Sequence, residues 1–149
     1  MNTVKEMLES KGRNVWSIEG SRSVYRAVGM MAELEVGALA VVDNHVHLTG
    51  IITERDYARK LILKNRSSHE TTVADIMTTD VVVVTEEISF DRCMSLMHDK
   101  KIRHLPVVDG ELPIGMITVG DLLKVIIREQ STAIEELENY IMDEKGGSG

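Results

Sequence analysis

The chain of 149 residues and 16.6 kDa carries 17 Lys+Arg against 24 Asp+Glu, a formal charge of −7 at pH 7, with 43% hydrophobic residues. A chain of this size can bury roughly 68–70% of its unfolded surface, which excludes global disorder, and its basic deficit argues against sequence-independent binding to nucleic acid. Aromatic residues are only 3%, too few for base-stacking platforms, so aliphatic residues and nine Met fill the core. The single cysteine, Cys93, excludes an intramolecular disulfide and a multi-Cys metal site, and points to a reducing compartment. Residues 1–6 are too charged for a signal peptide. The longest apolar runs, 38–42 and 81–84, fall far below the ~18 residues of a membrane span. These features predict a cytoplasmic protein without a membrane segment.

In chain order, Thr3-Val4-Lys5-Glu6 is a T-x-x-acid cap opening a helix. A short strand follows over 15–18, then a helix over 24–34, where Val24, Ala27, Val28 and Met31 recur at i, i+3, i+4 and i+7. Strands over 38–43 and 48–53 are joined by Asn44-His45, residue types that suit a tight hairpin. The apolar pairs Tyr57/Ala58 and Leu61/Ile62 mark a closing helix, and residues 64–71 form a polar linker.

The remaining elements repeat the first set. Residues 15–43 laid over 81–109, an offset of 66, give eight identities: Val15/Val81, Ser23/Ser89, Arg26/Arg92, Met31/Met97, Leu39/Leu105, Val41/Val107, Val42/Val108 and Asp43/Asp109. Chance would give about two. The second copy thus predicts a strand over 81–84, a helix over 90–100 with Phe90, Cys93, Met94 and Met97 on its apolar face, and strands over 105–109 and 114–118 joined by Gly110-Glu111. At an offset of 65, Gly50-Ile51-Ile52-Thr53-Glu54-Arg55-Asp56 lies over Gly115-Met116-Ile117-Thr118-Val119-Gly120-Asp121. Thr72-Val73-Ala74-Asp75 repeats the opening cap. The fold class is α/β (α+β), with two tandem β-α-β-β-α units over 3–66 and 72–128. A separate amphipathic helix over 131–145 opens on the capping box Thr132-Ala133-Ile134-Glu135, and residues 146–149 form a flexible tail.

This unit, used twice with a terminal G-h-h-T-x-x-D, resembles the cystathionine-β-synthase (CBS) domain, and the pair resembles a Bateman module. Further echoes are Asp75-Ile76-Met77-Thr78, the run from Ile102 to Asp109, and Thr53-Glu54-Arg55-Asp56-Tyr57-Ala58-Arg59, which is typical of stand-alone bacterial CBS pairs. The resemblance implies a pseudo-twofold body packed through its sheets, clefts that bind adenosine-containing ligands, and a disc-like homodimer. Arg103 and His104 match positions from which other CBS pairs reach phosphate. By the same resemblance the adenine slot is walled by Asn14, Val15, Val36, Ile51, Thr79, Asp80, Val81, Ile102 and Met116.

The residues support that picture in their own chemistry. Gly50 and Gly115 permit close approach of another group, and Thr53 with Asp56, like Thr118 with Asp121, falls at a strand-to-helix junction. The carboxylate can accept from both ribose hydroxyls and the threonine can donate to ribose or phosphate. Thr and Asp at such junctions are equally ordinary N-caps. Arg55 is a further phosphate candidate, with a surface ion pair to Glu54 or another acid as its alternative. Its counterpart is Gly120, so the two clefts differ.

His45 and His47 share a strand face but lack a third metal ligand, and Cys93 lies on a packing stripe rather than in a reactive setting. Known nucleophile and metal motifs are absent from the sequence. The expectation is a non-enzymatic regulatory module with no catalytic cofactor, sensing AMP, ADP, ATP or NAD(H) and acting on a separate partner protein. Two basic residues favour a phosphate-bearing ligand over S-adenosylmethionine. The alternative is a protein-interaction dimer with vestigial ligand sites.

Overall fold

The computed structural model describes residues 2–147. The first copy runs α1 (Val4–Lys11), β1 (Ser17–Glu19), α2 (Val24–Leu34), β2 (Ala38–Val42), β3 (Leu48–Thr53) and α3 (Glu54–Asp56), which continues as a π-helical turn over Tyr57–Ile62. The second runs α4 (Val73–Ile76), α5 (Phe90–Lys100), β4 (His104–Asp109), β5 (Leu112–Thr118) and α6 (Val119–Gly147).

Local chemistry explains why equivalent elements begin and end together. Ser23 and Ser89 each accept a hydrogen bond at 3.1 Å from the amide three residues on, Arg26 and Arg92, opening α2 and α5. Both helices stop on a left-handed residue, Glu35 (φ 55°) and Lys101 (φ 54°), and the following amides, Val36 and Ile102, return to the carbonyls of Met31 and Met97. The hairpins match as well. β2 pairs antiparallel with β3 and β4 with β5, and each register shifts at the same place, Val41/Val42 and Val107/Val108.

The expected strand over 81–84 is corrected to a single bridge from Val84 to Val107, the counterpart of Ile18 opposite Val41 in the parallel β1–β2 pair. Proline explains the loss. In the first copy the Ala40 amide donates to the Trp16 carbonyl at 3.0 Å. Its counterpart Pro106 has no N–H to give, so the ladder cannot extend toward Val82. The strand expected over 15–18 lies instead at Ser17–Glu19. The first hairpin places its positive φ on Val46 rather than on Asn44 or His45, with both His45 and His47 amides donating to Asp43 Oδ1. The second uses Gly110 as expected.

Two apolar clusters form the core, and each copy lends its opening helix to the other. Val4, Met7 and Leu8 of α1 pack with Val84, Cys93, Leu105, Val107 and Ile117. Val73 and Ile76 of α4 pack with Val24, Ala27, Leu39, Val41 and Ile52. The backbone records the exchange twice. Val4 N donates to Ile88 O and Phe90 N to Asn2 O; Val73 N donates to Arg22 O and Val24 N to Thr71 O, all at 2.8–2.9 Å. These matched exchanges give the body its pseudo-twofold relation.

The two helices expected at the C-terminal end are one. α6 runs unbroken from Val119 to Gly147, so Thr132 is an interior residue rather than a cap, and Gly146 and Gly147 lie in the last turn of the helix. Ser148 and Gly149, the rest of the expected tail, lie outside the described residues.

Candidate functional site

At the first strand-to-helix junction, β3 ends on Thr53 and α3 begins. Thr53 Oγ1 accepts from the Asp56 amide at 3.2 Å and Asp56 Oδ2 accepts from the Thr53 amide at 3.1 Å, a reciprocal capping box. The Asp56 carboxylate has two more partners. Thr78 Oγ1 donates to it at 3.0 Å, and Lys60 Nζ lies 3.0 Å from Oδ1, one turn along the helix. Asp56 is only 5% exposed.

The second junction shares the box but not its surroundings. Asp121 Oδ2 accepts from the Thr118 amide at 2.8 Å, and Thr118 Oγ1 accepts from the Asp121 amide at 3.1 Å. Here the further partner is Lys11 from the end of α1, whose Nζ lies 2.6 Å from Asp121 Oδ2 and donates to the Met116 carbonyl at 2.7 Å. Beside this pair a cavity of about 220 Å³ opens between α1 and α6, lined by Met7, Ser10, Lys11, Asp121, Lys124, Val125 and Arg128. Three cationic side chains facing one carboxylate leave this cavity with an excess of positive charge.

Both motif glycines admit protein atoms. A Cβ on Gly50 would stand 2.7 Å from Met77 Sδ and 2.8 Å from the Thr78 carbonyl, and one on Gly115 would stand 2.6 Å from Leu8 Cδ2. The group that approaches each glycine is thus the other copy's opening segment, and the expectation that these glycines clear space for another group is met by the fold itself.

Two of the basic candidates, Arg55 and His104, fall at the meeting of the two copies. Arg55 neither lies free nor pairs with Glu54 through an ion pair: its Nη1 donates to the Lys101 carbonyl at 3.0 Å, holding the end of α5. Arg103 accepts from the Val119 amide through its own carbonyl, which ties the start of β4 to the start of α6. His104 opens β4 against Gly37, where a Cβ would lie 3.4 Å from the ring, with Glu54 alongside. Burial pushes the His104 pKa below its ordinary value; Glu54 and Asp121 oppose that effect, and Arg103 and Lys11 add to it.

Among the adenine-wall candidates, Ile51 is buried and its backbone is fully used, donating to Thr78 O at 2.9 Å and accepting from Thr78 N at 2.8 Å. Val36 and Ile102 are half-buried and close the ends of α2 and α5, and Met116 spends its carbonyl on Lys11. Asn14, Thr79 and Asp80 are exposed, while Val15 and Val81 are half-buried. The residues that sequence reasoning missed are Thr78, Lys60 and Lys11. Thr78 stood inside a quoted motif, but only the exchange of opening helices brings it or Lys11 to a carboxylate.

The family model for the CBS domain matches residues 4–63 and 73–128. The chain belongs to the CBS-domain family. It is 40% identical over 148 residues to the CBS domain-containing protein CBSX3, mitochondrial, of Arabidopsis thaliana, covering 93% of this chain and 71% of that protein. A solved CBS-domain protein from Burkholderia ambifaria MC40-6 is 46% identical with a TM-score of 0.82, covering 86% of this chain and 96% of the other. The CBS pair of protein MJ0100, solved with 5′-methylthioadenosine and S-adenosyl-L-methionine, is 26% identical with a TM-score of 0.76, covering 85% and 97%.

The remaining chemistry of the CBS pair is structural. His47 Nδ1 lies 3.4 Å from Glu111 Oε2 and 3.8 Å from Asp43 Oδ2, which joins the two hairpin turns. Among the described residues no group of three or more His, Cys, Asp or Glu is arranged to hold a metal ion. Cys93 is fully buried, and burial pushes its thiol pKa up, which makes it inert packing. Among the described residues no helix is long and apolar enough to cross a membrane.

Proposed function

We propose that this CBS pair is a regulatory module that binds an adenosine-containing ligand, AMP, ADP, ATP or NAD(H), at its Thr-x-x-Asp junctions. Binding changes how the two units, or two associated chains, pack. The observation that carries this reading is Asp121: its carboxylate sits at a helix start, satisfied in part by the partly exposed ammonium of Lys11, beside a cavity with excess positive charge. Ribose hydroxyls can replace Lys11 as donors to Asp121, and the released ammonium, with Arg103 and His104 at the adjoining strand, suits a phosphate. The adenosine compounds held by the MJ0100 pair support the ligand class. Ligand acts only through unequal affinity for two arrangements of the body, and the output passes to a separate protein in the cytoplasm.

At the first junction a specific observation favours the other reading, a site kept for packing. Asp56 is sealed by Thr78 and Lys60, so a ligand there has to displace two protein partners. Thermal unfolding with AMP, ADP, ATP, NAD, NADH and S-adenosylmethionine tests both. Ligand at 100 times its Kd adds ~2.7 kcal/mol, a shift of roughly 5–10 °C for a chain of this size. The shift is expected with a phosphate-bearing adenosine ligand and is lost in Asp121→Ala. No shift with any of the six overturns the sensor reading in favour of an interaction scaffold.

A further inference from the structure

We infer that α6 pairs antiparallel with the same helix of a second copy of this chain, along a seam of Leu123, Ile127, Gln130, Ile134, Leu137 and Ile141. This rests on the association of two chains and is independent of the ligand class proposed above. α6 is anchored to the body through Leu122 and Val125, its buried residues. From Ile127 through Met142 every residue is exposed, Ile134 by 58% and Leu137 by 60%. Most helical stability in proteins comes from packing an amphipathic face, and this stretch presents one with nothing from its own chain covering it among the described residues.

The spacing along the seam alternates four, three, four, three and four residues, the a/d repeat of a two-stranded coiled coil. At 3.6 residues per turn these six positions fall within an arc of about 80°, on the opposite side of the helix from Val125. The seam is therefore open to a partner while the other face stays on the body. Gln130 is its one polar member, a residue type that fixes register at a cost in stability.

Flanking charge selects both the occupant and the direction. With Ile134 set against the partner's Gln130 in antiparallel order, Ile127 meets the partner's Leu137 and Leu123 meets the partner's Ile141. The same register sets Lys124 beside the partner's Glu138, twice by symmetry, Ile126 beside the partner's Tyr140, and Ala133 beside the partner's Ala133. Lys124 shares its cavity with Lys11 and Arg128, so an arriving carboxylate meets an unbalanced positive cluster. A parallel pairing would set Ala133 beside the partner's Glu138 and Ile126 beside the partner's Ser131, with no opposite charges matched. The chain is thus complementary to itself in one direction only.

Sedimentation equilibrium of the full chain and of the double variant Ile134→Asp/Leu137→Asp tests the seam. The expected result is a dimer that dissociates at least tenfold more readily in the variant; because both side chains are exposed, the urea midpoint of the diluted monomer stays unchanged. Glu138→Lys is expected to weaken association and Lys124→Glu/Glu138→Lys to restore it. Direction is read from disulfides: mixed chains carrying Leu123→Cys and Ile141→Cys crosslink to each other, while Ile141→Cys alone does not, its two sulfurs lying about 27 Å apart. Unchanged association in the double variant, or a monomeric parent chain, overturns the proposal. Crosslinking of Ile141→Cys to itself overturns the direction. Retention of the nucleotide-dependent thermal shift in the double variant keeps this failure distinct from that of the ligand reading.

Discussion

The two strand-to-helix junctions carry the same Thr-x-x-Asp box and yet differ in what meets the carboxylate. At Asp56 the partner is the polypeptide just past α4, with Thr78 pairing its backbone to Ile51 and its hydroxyl to Asp56. At Asp121 the partner is a single long side chain, Lys11, which reaches the carboxylate and the Met116 carbonyl together. The cause lies in helix length. α4 stops after Ile76 because Thr78, Thr79 and Asp80 disfavour helix, whereas α1 continues through Leu8-Glu9-Ser10-Lys11 until Gly12, at φ 105°, ends it. A backbone that stops early delivers a segment paired to β3, and one that continues delivers a single partly exposed lysine side chain.

The largest effect that distinguishes the junctions is expected at their glycines. Gly50→Ala drives a methyl group against the Thr78 carbonyl, which is held by its own hydrogen bonds and cannot swing away, so a loss of about 3 kcal/mol is expected. Gly115→Ala meets only the methyl end of Leu8, though in a packed core, and is expected to cost about 1–2 kcal/mol. Urea midpoints of the two variants measure the difference. Equal losses would mean that the two contacts are equally rigid and would dissolve the contrast.

The carboxylates come next. Asp56→Ala removes a cap and leaves the half-buried Thr78 hydroxyl without its acceptor, while Lys60 keeps the Ile76 carbonyl and water, for a loss of about 2 kcal/mol. Asp121→Ala loses the cap alone, about 1 kcal/mol, because Lys11, already one-third exposed, returns to water. Lys11→Met sharpens the point in calorimetric titration: it frees Asp121 for ribose, so adenosine is expected to bind more tightly while the advantage of ATP over adenosine shrinks. An unchanged ratio would remove Lys11 from the site.

Much of this was legible in the sequence where the controlling interactions are local. The apolar spacing of 24–34 and 90–100, the hairpins and the Thr and Asp caps at the two junctions all act within a few residues, and all are present. Pro106 carries a local signal that the expected strand over 81–84 overlooks, since a proline in a strand removes a ladder donor and demotes the neighbouring pairing. The exchange of opening helices was not, because nothing within α1 or α4 says which of two similar cores will take it. Lys11 and Thr78 therefore escaped notice, as did the second role of Arg55 at the end of α5; Lys60, four residues past Asp56 on the same helix, was within reach of local reading. Periodicity also does not say how deep a stripe sits: Met94 falls on the predicted apolar face of α5 and is 40% exposed.

The smallest expected effect tests whether the copies communicate through His104. This histidine opens β4 against Gly37, so its burial is created by the packing of one copy on the other. Desolvation lowers its pKa, Glu54 and Asp121 partly offset that, and Arg103 and Lys11 reinforce it. A histidine whose folded pKa lies below its unfolded value contributes stability that is fully present above about pH 6.5 and is lost as the pH falls through that value toward the folded pKa. The melting temperature is therefore expected to fall between pH 7.5 and 5.5, and His104→Asn to flatten that slope. Asp43, Asp75 and Glu87, whose pKa values are lowered chiefly by hydrogen bonds from His47, Thr72 and Thr85, act only at lower pH, as their carboxylates protonate. A slope that survives in His104→Asn would assign the acid sensitivity elsewhere and leave the contact between the copies indifferent to protonation.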